Sequence, residues 1–425
     1  MDSQRRYKTY KWSNWGLIAL AFVVVFFHRY STGVVAEEFA RDLGLSPQRQ
    51  GTQLGNLAAM YFWAYAIMQI PSGVMADYIG PKKTTAYGML LAGVGSALLG
   101  YSVNIQMAYV GRLLVGIGVA GGFISLLKIQ AVWFKAEEFP TISGWSSLIG
   151  NLGGVLATYP FALLVGYIGW QLSFKMMGLV SLILFLLIML LVKDSPKDVG
   201  LAGPNDKDIM TKPNTTLFQS IKKVVLNKHT WPNFFVLFCL MGTITSFSGL
   251  WGIPYLTQVY NMTRDSASIY VLLLTIGIML GSLMVGYLAK YVGSTRKIML
   301  GGAIIFTLIW IYKIVLAGGK PNIAILPALY LLMGISAVTF ILSFTNVKNV
   351  NEPSLSGIAT SVANVGGFLG AALLNNTIGF ILDIQGQSLN GVGTDSTHAF
   401  QMAFLVYLIM GIVAILAVLF QREKL

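Results

Sequence analysis

Apolar residues fall in long blocks along this chain, at about 14–39, 51–75, 84–101, 106–134, 141–167, 172–192, 231–260, 269–288, 298–317, 323–345, 357–384 and 400–420. Short polar connections separate them. A helix needs roughly 20 apolar residues to cross a hydrocarbon core about 30 Å thick, so the pattern predicts twelve spanning helices. The longer blocks overshoot that thickness, which tilt or extension into water accommodates. One connection is different. Positions 193–230 are polar and rich in Asp, Lys, Pro, Gly and Asn, the composition of a linker. Within it, 216–228 is expected to form a short amphipathic helix on the membrane surface. The linker divides an amino-terminal half, 1–192, from a carboxy-terminal half, 231–425, with six blocks in each.

Basic residues sort by connection. Arg5, Arg6, Lys8 and Lys11 precede the first block, and Lys82, Lys83, Lys135, Lys290, Arg296, Lys297, Lys348, Arg422 and Lys424 fall on the same side if every block spans. The linker adds Lys193, Lys197, Lys207, Lys212, Lys222, Lys223 and Lys228. The other side carries Arg41, Arg49, Arg264 and Lys320. By the positive-inside rule both termini and the linker are cytoplasmic, and a miscounted helix would scramble this separation.

The two halves repeat. Gly73 and Gly80 of Gly73-Val-Met-Ala-Asp-Tyr-Ile-Gly-Pro-Lys-Lys83 reappear as Gly286 and Gly293 of Gly286-Tyr-Leu-Ala-Lys-Tyr-Val-Gly-Ser-Thr-Arg296, where 293 − 80 = 213. Ser143-Gly-Trp-Ser-Ser-Leu-Ile-Gly-Asn-Leu-Gly-Gly154 matches Ser356-Gly-Ile-Ala-Thr-Ser-Val-Ala-Asn-Val-Gly-Gly367 at the same offset of 213. Two segments sharing one offset predict a parallel duplication of six helices. Gly150, Gly153 and Gly154 suggest close helix packing of the small-residue type.

Composition agrees with the pattern. Hydrophobic residues make up 55% of the 425, charged residues 11%, and mean hydropathy is +0.69. A soluble domain carries about 25% charged residues, which excludes an ordinary water-soluble globule. The formal net charge of +13 would suggest nucleic acid in a soluble protein, but here the bases lie in the connections. The single Cys239 allows no intrachain disulfide. The first block lacks a small-residue cleavage site and reads as a retained helix. His28, His229 and His398 are expected at three different depths and cannot share a metal. No Walker-type phosphate loop occurs. Neither a cofactor nor an enzymatic activity is expected.

Gly73-x-x-x-Asp77-x-x-Gly80-x-Lys82-Lys83, between blocks two and three, resembles the signature loop of the major facilitator superfamily. Arg112-x-x-x-Gly116-x-Gly118 resembles its second motif. The resemblance spans nearly the whole chain. It implies an all-α polytopic fold of two six-helix pseudo-repeats, working by alternating access as a secondary active or facilitative transporter. It also assigns Gly73, Asp77, Gly80, Lys82, Lys83 and Arg112 to gating or to helix contacts near the gate. Tyr78 and Pro81 depart from the family pattern, and Lys290 replaces the acid in the second copy, so the first copy is expected to dominate. Block five lacks the Gly-Pro-rich motif of drug–proton antiporters, which argues against a drug or cation exporter. The segments His28-Arg-Tyr-Ser-Thr32, Tyr65-x-x-x-Gln69, Gly249-Leu-Trp-Gly-x-Pro-Tyr255 and Val347-Lys348 resemble bacterial sugar-phosphate and organic-anion permeases. That implies a small anionic solute: an organic acid, a sugar phosphate or an amino acid.

Ionisable groups inside a membrane are costly and mark function unless they snorkel. Lys175 and Lys313 lie toward the outer ends of their blocks, where snorkelling accounts for both. Arg29 lies about 22 Å along a helix counted from Asn14, past the midplane, and no acid occurs in the middle of that helix. Its planar fork suits a carboxylate or phosphate, the alternative being an arginine bonded to backbone carbonyls. Arg112 and Lys128 fall about 160° apart on one helix, so either Gly121-Gly122 bends it or one of the two is structural. Lys128 stands open between solute ligand and snorkelling base, and the resemblance to organic-anion carriers favours the ligand. Tyr61, Tyr65 and Gln69 share a helix face. Trp251 and Tyr255 are candidates for lining or packing, and the repeat-related Asn151 and Asn364 for solute contact or helix glue. His28 is the candidate coupling group, since its ordinary pKa near 6.5 permits proton exchange. A proton or ion is the possible co-substrate, the bilayer is the environment, and a monomer in the inner (plasma) membrane is expected. A transport-silent sensor of the same fold is the rival reading.

Overall fold

The computed structural model describes residues 2–135, 137–204, 217–386 and 396–422. Lys207, Lys212 and Lys424 lie outside the described residues. Among the described residues all regular structure is helical. With no water to bond exposed amides in hydrocarbon, an apolar segment must satisfy its backbone internally, and a helix does so. The helices are α1 (Asp2–Tyr30), α2 (Gln50–Tyr78), α3 (Gly80–Gly100), α4 (Ile105–Trp133), α5 (Phe139–Leu156), α6 (Tyr159–Leu191), α7 (Trp231–Tyr260), α8 (Arg264–Val292), α9 (Thr295–Leu316), α10 (Ile323–Asn349), α11 (Pro353–Ile384) and α12 (Ser396–Leu419). Nine helices among the described residues, α1, α4 and α6 to α12, are long and apolar enough to cross a membrane. The others, α2, α3 and α5, occupy three further apolar blocks. Side-chain caps start several of them: Asn104 accepts from the Met107 amide, and Ser294 from the Lys297 amide.

The interruptions matter more than the spans. The first block was expected to be continuous to position 39, but α1 ends at Tyr30. A tight turn at Gly33–Val35 and a short helix at Ala36–Asp42 follow. Ser31, Thr32 and Gly33 explain the break, because Ser and Thr compete for backbone hydrogen bonds and Gly carries an entropic cost in a helix. The helical path of α4 is broken at Ala120-Gly121, where the chain carried a Gly-Gly pair. In α6, Gly169 is non-helical (φ 77°, ψ 159°), so the end of the fifth block and the whole of the sixth meet there. Wide π turns occupy Leu237–Met241 and Phe247–Trp251 in α7 and Tyr312–Leu316 in α9. Such turns frequently occur at functional sites.

The repeat survives as packing. A Cβ added to Gly153 of α5 would lie 2.1 Å from the Val23 carbonyl oxygen of α1, and one on Gly366 of α11 would lie 2.6 Å from that of Phe234 in α7. Each half therefore crosses its fifth helix over its first at a residue that must lack a side chain. The chain clusters into two compact units. One comprises Met1–Arg29, Trp63–Ala157 and Leu164–Thr211, and the other Tyr30–Phe62, Thr158–Leu163 and Lys212–Leu425.

Candidate functional site

Arg29 stands in the last turn of α1, where unpaired helix carbonyls favour a cation. It is 7% exposed, and its guanidinium carbon lies 4.5 Å from the Phe26 ring centre and 5.6 Å from that of Tyr65. Tyr65 hydrogen-bonds with both Arg29 and Gln69. The Gln69 side-chain amide in turn donates to the Ala120 carbonyl at 3.3 Å, at the break in α4. Three helices thus meet at one buried arginine, and the shared face of Tyr65 and Gln69 is used as the spacing predicts. Tyr61, one turn earlier on α2, is fully buried.

Arg112 of α4 is also fully buried, and its Nη1 donates to the His28 carbonyl oxygen at 2.9 Å. It therefore holds the last turn of α1 beside Arg29. The His28 ring is buried too, and neither ring nitrogen has a hydrogen-bond partner among the described residues. Ser31 and Thr32, just past the helix end, bring two more buried hydroxyls into this polar stretch.

The motif at 73–83 is a tight corner, not the loop expected. Gly73 and Asp77 belong to the last turns of α2, and Pro81, Lys82 and Lys83 to the first turn of α3. Gly80 makes the corner with φ +86°, and its repeat partner Gly293 does the same with φ +68°. Gly80 also admits a neighbour: a Cβ there would lie 2.4 Å from the Asp194 carboxylate, which accepts from the Lys82 amide at 2.7 Å. Burial pushes the Asp194 carboxyl above its ordinary range, and that amide bond works against the shift. Gly73, by contrast, would have room for a side chain, with only Ile124 at 3.8 Å.

Lys128 joins this corner. Its ammonium forms an ion pair with Asp77 and donates to the Ala76 carbonyl oxygen at 2.8 Å. A second ion pair joins Lys11 to Glu138 at 2.7 Å. The sequence offered no partner for Lys128, because Asp77 comes from a different helix.

Snorkelling holds for Lys175, whose ammonium lies 3.9 Å from the Tyr101 ring centre on a partly exposed side chain. It fails for Lys313. That side chain is 1% exposed and its ammonium lies within 4.5–5.7 Å of five ring centres, those of Phe247, Trp310, Tyr255, Tyr330 and Phe404. Its nitrogen has no hydrogen-bond acceptor among the described residues. Aromatic faces attract a cation, so the wide turn of α9 turns the lysine inward to a box of rings instead of outward to water. Tyr255 is a wall of this box, and its hydroxyl donates to the Gly319 carbonyl at 2.8 Å. Trp251 is buried with its indole N–H unpartnered among the described residues. Asn151 bonds back to the Ser147 carbonyl at 2.9 Å, and Asn364 is partly buried in α11.

At the opposite ends of the helices, acids missed by the sequence reading do the holding. Both Asp383 oxygens accept backbone amides in the first turn of α2, Gly51 at 2.7 Å and Thr52 at 2.8 Å. Glu38 pairs with Arg264 at the start of α8, and Glu37 accepts from the Thr257 hydroxyl at 2.6 Å. Positions 51 and 264 are related by the repeat offset, 264 − 51 = 213, so equivalent helix starts are both gripped by a carboxylate.

Among the described residues Arg29, Arg112, Lys313 and His28 are buried, and no Asp or Glu is. The buried side chains of the Asp, Glu, His, Lys and Arg types are thus all bases among the described residues.

The Major Facilitator Superfamily model matches residues 18–375 and again 252–424. The chain belongs to the Major Facilitator Superfamily. Among superfamily relatives, the probable sulfoacetate transporter SauU of Cupriavidus necator is 30% identical over 181 residues, which span 43% of this chain and 41% of that protein. The probable galactarate/D-glucarate transporter GudP of Escherichia coli is 23% identical over 439 residues, 93% of this chain and 92% of that one. A solved bacterial homolog of the human lysosomal transporter Spinster matches in fold with a TM-score of 0.75 at 16% identity, covering 98% of this chain and 99% of its own. The superfamily consists of transporters, and the expected fold class and family stand.

Proposed function

We propose that this protein is a secondary carrier, active or facilitative, that moves a small organic dianion across the membrane by alternating access. The observation that carries the reading is that the buried Asp/Glu/His/Lys/Arg side chains among the described residues are all bases. A carboxylate in the core would compete with an anionic solute for the same bases, and none of the buried side chains among the described residues is one. The relatives named for sulfoacetate and for galactarate or D-glucarate handle solutes with two acidic ends, which supports a sulfo-carboxylate or dicarboxylate class.

Arg29 is the anchor, its fork matching a planar carboxylate or three-oxygen sulfonate face. Tyr65 hydrogen-bonds the arginine and Gln69 bonds Tyr65, offering hydroxyl and amide groups beside it, and Tyr61 is a further candidate contact. Asn151, Trp251 and Asn364 remain candidate contacts. Lys128 we assign to the corner, where Asp77 engages it, and Tyr255 to the lysine box. Asp77, Gly80, Lys82, Lys83 and Arg112, with Gly73, form the cytoplasmic gating set. His28 is the candidate for a coupling proton. The carrier acts as a monomer in the cell inner (plasma) membrane with both termini in the cytoplasm.

The test is thermal stabilisation of purified protein by sulfoacetate and galactarate, against acetate and a neutral polyol, followed by uptake into liposomes. Removing one partner of a desolvated charge pair costs about 2 kcal/mol or more, roughly thirtyfold in affinity. Arg29→Gln should weaken dianion binding by about that factor. Equal stabilisation of both proteins would remove Arg29 from the site, and tight binding without uptake would favour a sensor.

A further inference from the structure

The connecting helix Leu217–Leu226 lies between the two halves of the sequence and has two unlike faces. Ser220 and Val224 are buried, and the helix packs on α11. On the other face Phe218 and Leu226 are 76% and 72% exposed, while Lys222 and Lys223 between them are exposed as well. Phe218, Lys222 and Leu226 follow at four-residue steps and form one stripe. Large apolar side chains left that open, with lysines among them, are the signature of a helix lying in a membrane interface.

The helix is pinned at the depth where such an interface begins. Trp231, the first residue of α7, donates its indole N–H to the Val225 carbonyl at 2.9 Å. Asn227 donates to the Val350 carbonyl at 2.8 Å, next to the end of α10. Tryptophan favours the headgroup level, so the helix is tied to the ends of two spanning helices. Lys228 follows directly, and Lys223 approaches Glu352 at 3.6 Å, a loose pair with both side chains more than half exposed.

We propose that this face docks on anionic phospholipid headgroups, with Phe218 and Leu226 inserted at the acyl boundary and Lys222, Lys223 and Lys228 on the phosphates. Charge complementarity selects the anionic lipid: each lysine at such a surface is worth about fivefold in binding. The docked helix would fix the central connection against the membrane beside α7 and α11.

The experiment uses the full chain with Cys239→Ala and Gln219→Cys, spin-labelled and reconstituted into phosphatidylcholine vesicles with and without phosphatidylglycerol. Relative accessibility to oxygen and to a water-soluble nickel chelate reports depth. With phosphatidylglycerol the label should favour oxygen. In phosphatidylcholine alone, in high salt, or with Lys222→Gln/Lys223→Gln, the nickel accessibility should rise, the double variant docking about 25-fold more weakly at fivefold per lysine. Thermal stability of the double variant shows that it is folded. A label that stays in water in both lipids overturns the proposal and leaves the face to a soluble partner. Immersion that ignores lipid charge and the lysines overturns the anionic assignment.

Discussion

Asp383 is the residue whose removal should be read most cleanly. It lies one residue from the end of α11, where a carboxylate opposes the helix's own dipole. It is tolerated because both oxygens face the first turn of α2, accepting the Gly51 and Thr52 amides at 2.7 and 2.8 Å. Those amides are among the four that a helix start leaves without internal partners. A hydrogen bond to a charged group contributes about 1.5–3 kcal/mol, but this site is partly exposed and water replaces part of the loss. Loss of a side-chain N-cap, about 1–2 kcal/mol, is the closer measure. Asp383→Ala should therefore raise opening of the α2 start by about 5- to 30-fold. Asp383→Asn keeps one acceptor and loses the charge–dipole contribution, so it should fall between. Hydrogen–deuterium exchange on peptides covering 50–58 measures this directly, with peptides of α3 as an internal control. If exchange at the α2 start is unchanged in the alanine variant, the carboxylate is not what holds it.

Three other outcomes follow from the same geometry. Gly80→Ala should destabilise, since the left-handed backbone alone costs about 1–2 kcal/mol and the new Cβ meets Asp194. Gly286→Ala, with open space at its Cβ, should be neutral or stabilising; equal melting temperatures would refute the corner's geometry. Lys313→Met should be neutral or stabilising, as replacement of a buried charge by an apolar side chain often is, whereas Lys313→Glu sets a carboxylate against negative ring faces and should unfold the protein more readily. Glutamate tolerated as well as methionine would mean the box does not read charge. The Lys11 hydrogen bond holds the Glu138 carboxyl below its ordinary 4.5, so its contribution is present above that value and is lost as pH falls through the lowered one. Melting temperature followed from about pH 6 to 3 should fall more steeply in the wild type than in Glu138→Gln; identical slopes would show the pair contributes nothing.

The apolar blocks, the duplication and the glycines of the corner were legible because each is written locally, as run length, as an offset of 213, and as glycine where the backbone turns. The same is true of the shared face of Tyr65 and Gln69. What was not legible depends on partners distant in sequence. Lys128 looked open because Asp77 is supplied by α2. Lys313 looked like a snorkelling residue because distance to a helix end is a one-dimensional measure, while the π turn at Tyr312–Leu316 rotates the side chain into a box built from α7, α9, α10 and α12. The break after Tyr30 had a local signal in Ser31, Thr32 and Gly33, which hydropathy averaging hides because the residues that follow are apolar again.

The placement of charge links the fold to the proposed cargo. Glu38, Asp77, Glu138, Asp194 and Asp383 all act near helix ends, on amides, lysines or an arginine. Water is close enough there to limit the cost of ionisation, and helix amides and bases supply partners. Among the described residues the buried side chains of the Asp, Glu, His, Lys and Arg types are all bases. Rings and a hydroxyl surround Arg29, a carbonyl oxygen accepts from Arg112, and five rings enclose Lys313. A buried carboxylate would neutralise these groups and lower the cost of burying them, yet none is present among the described residues. Under the proposed function, a fold that retains that cost leaves these bases to a small dianion on entering.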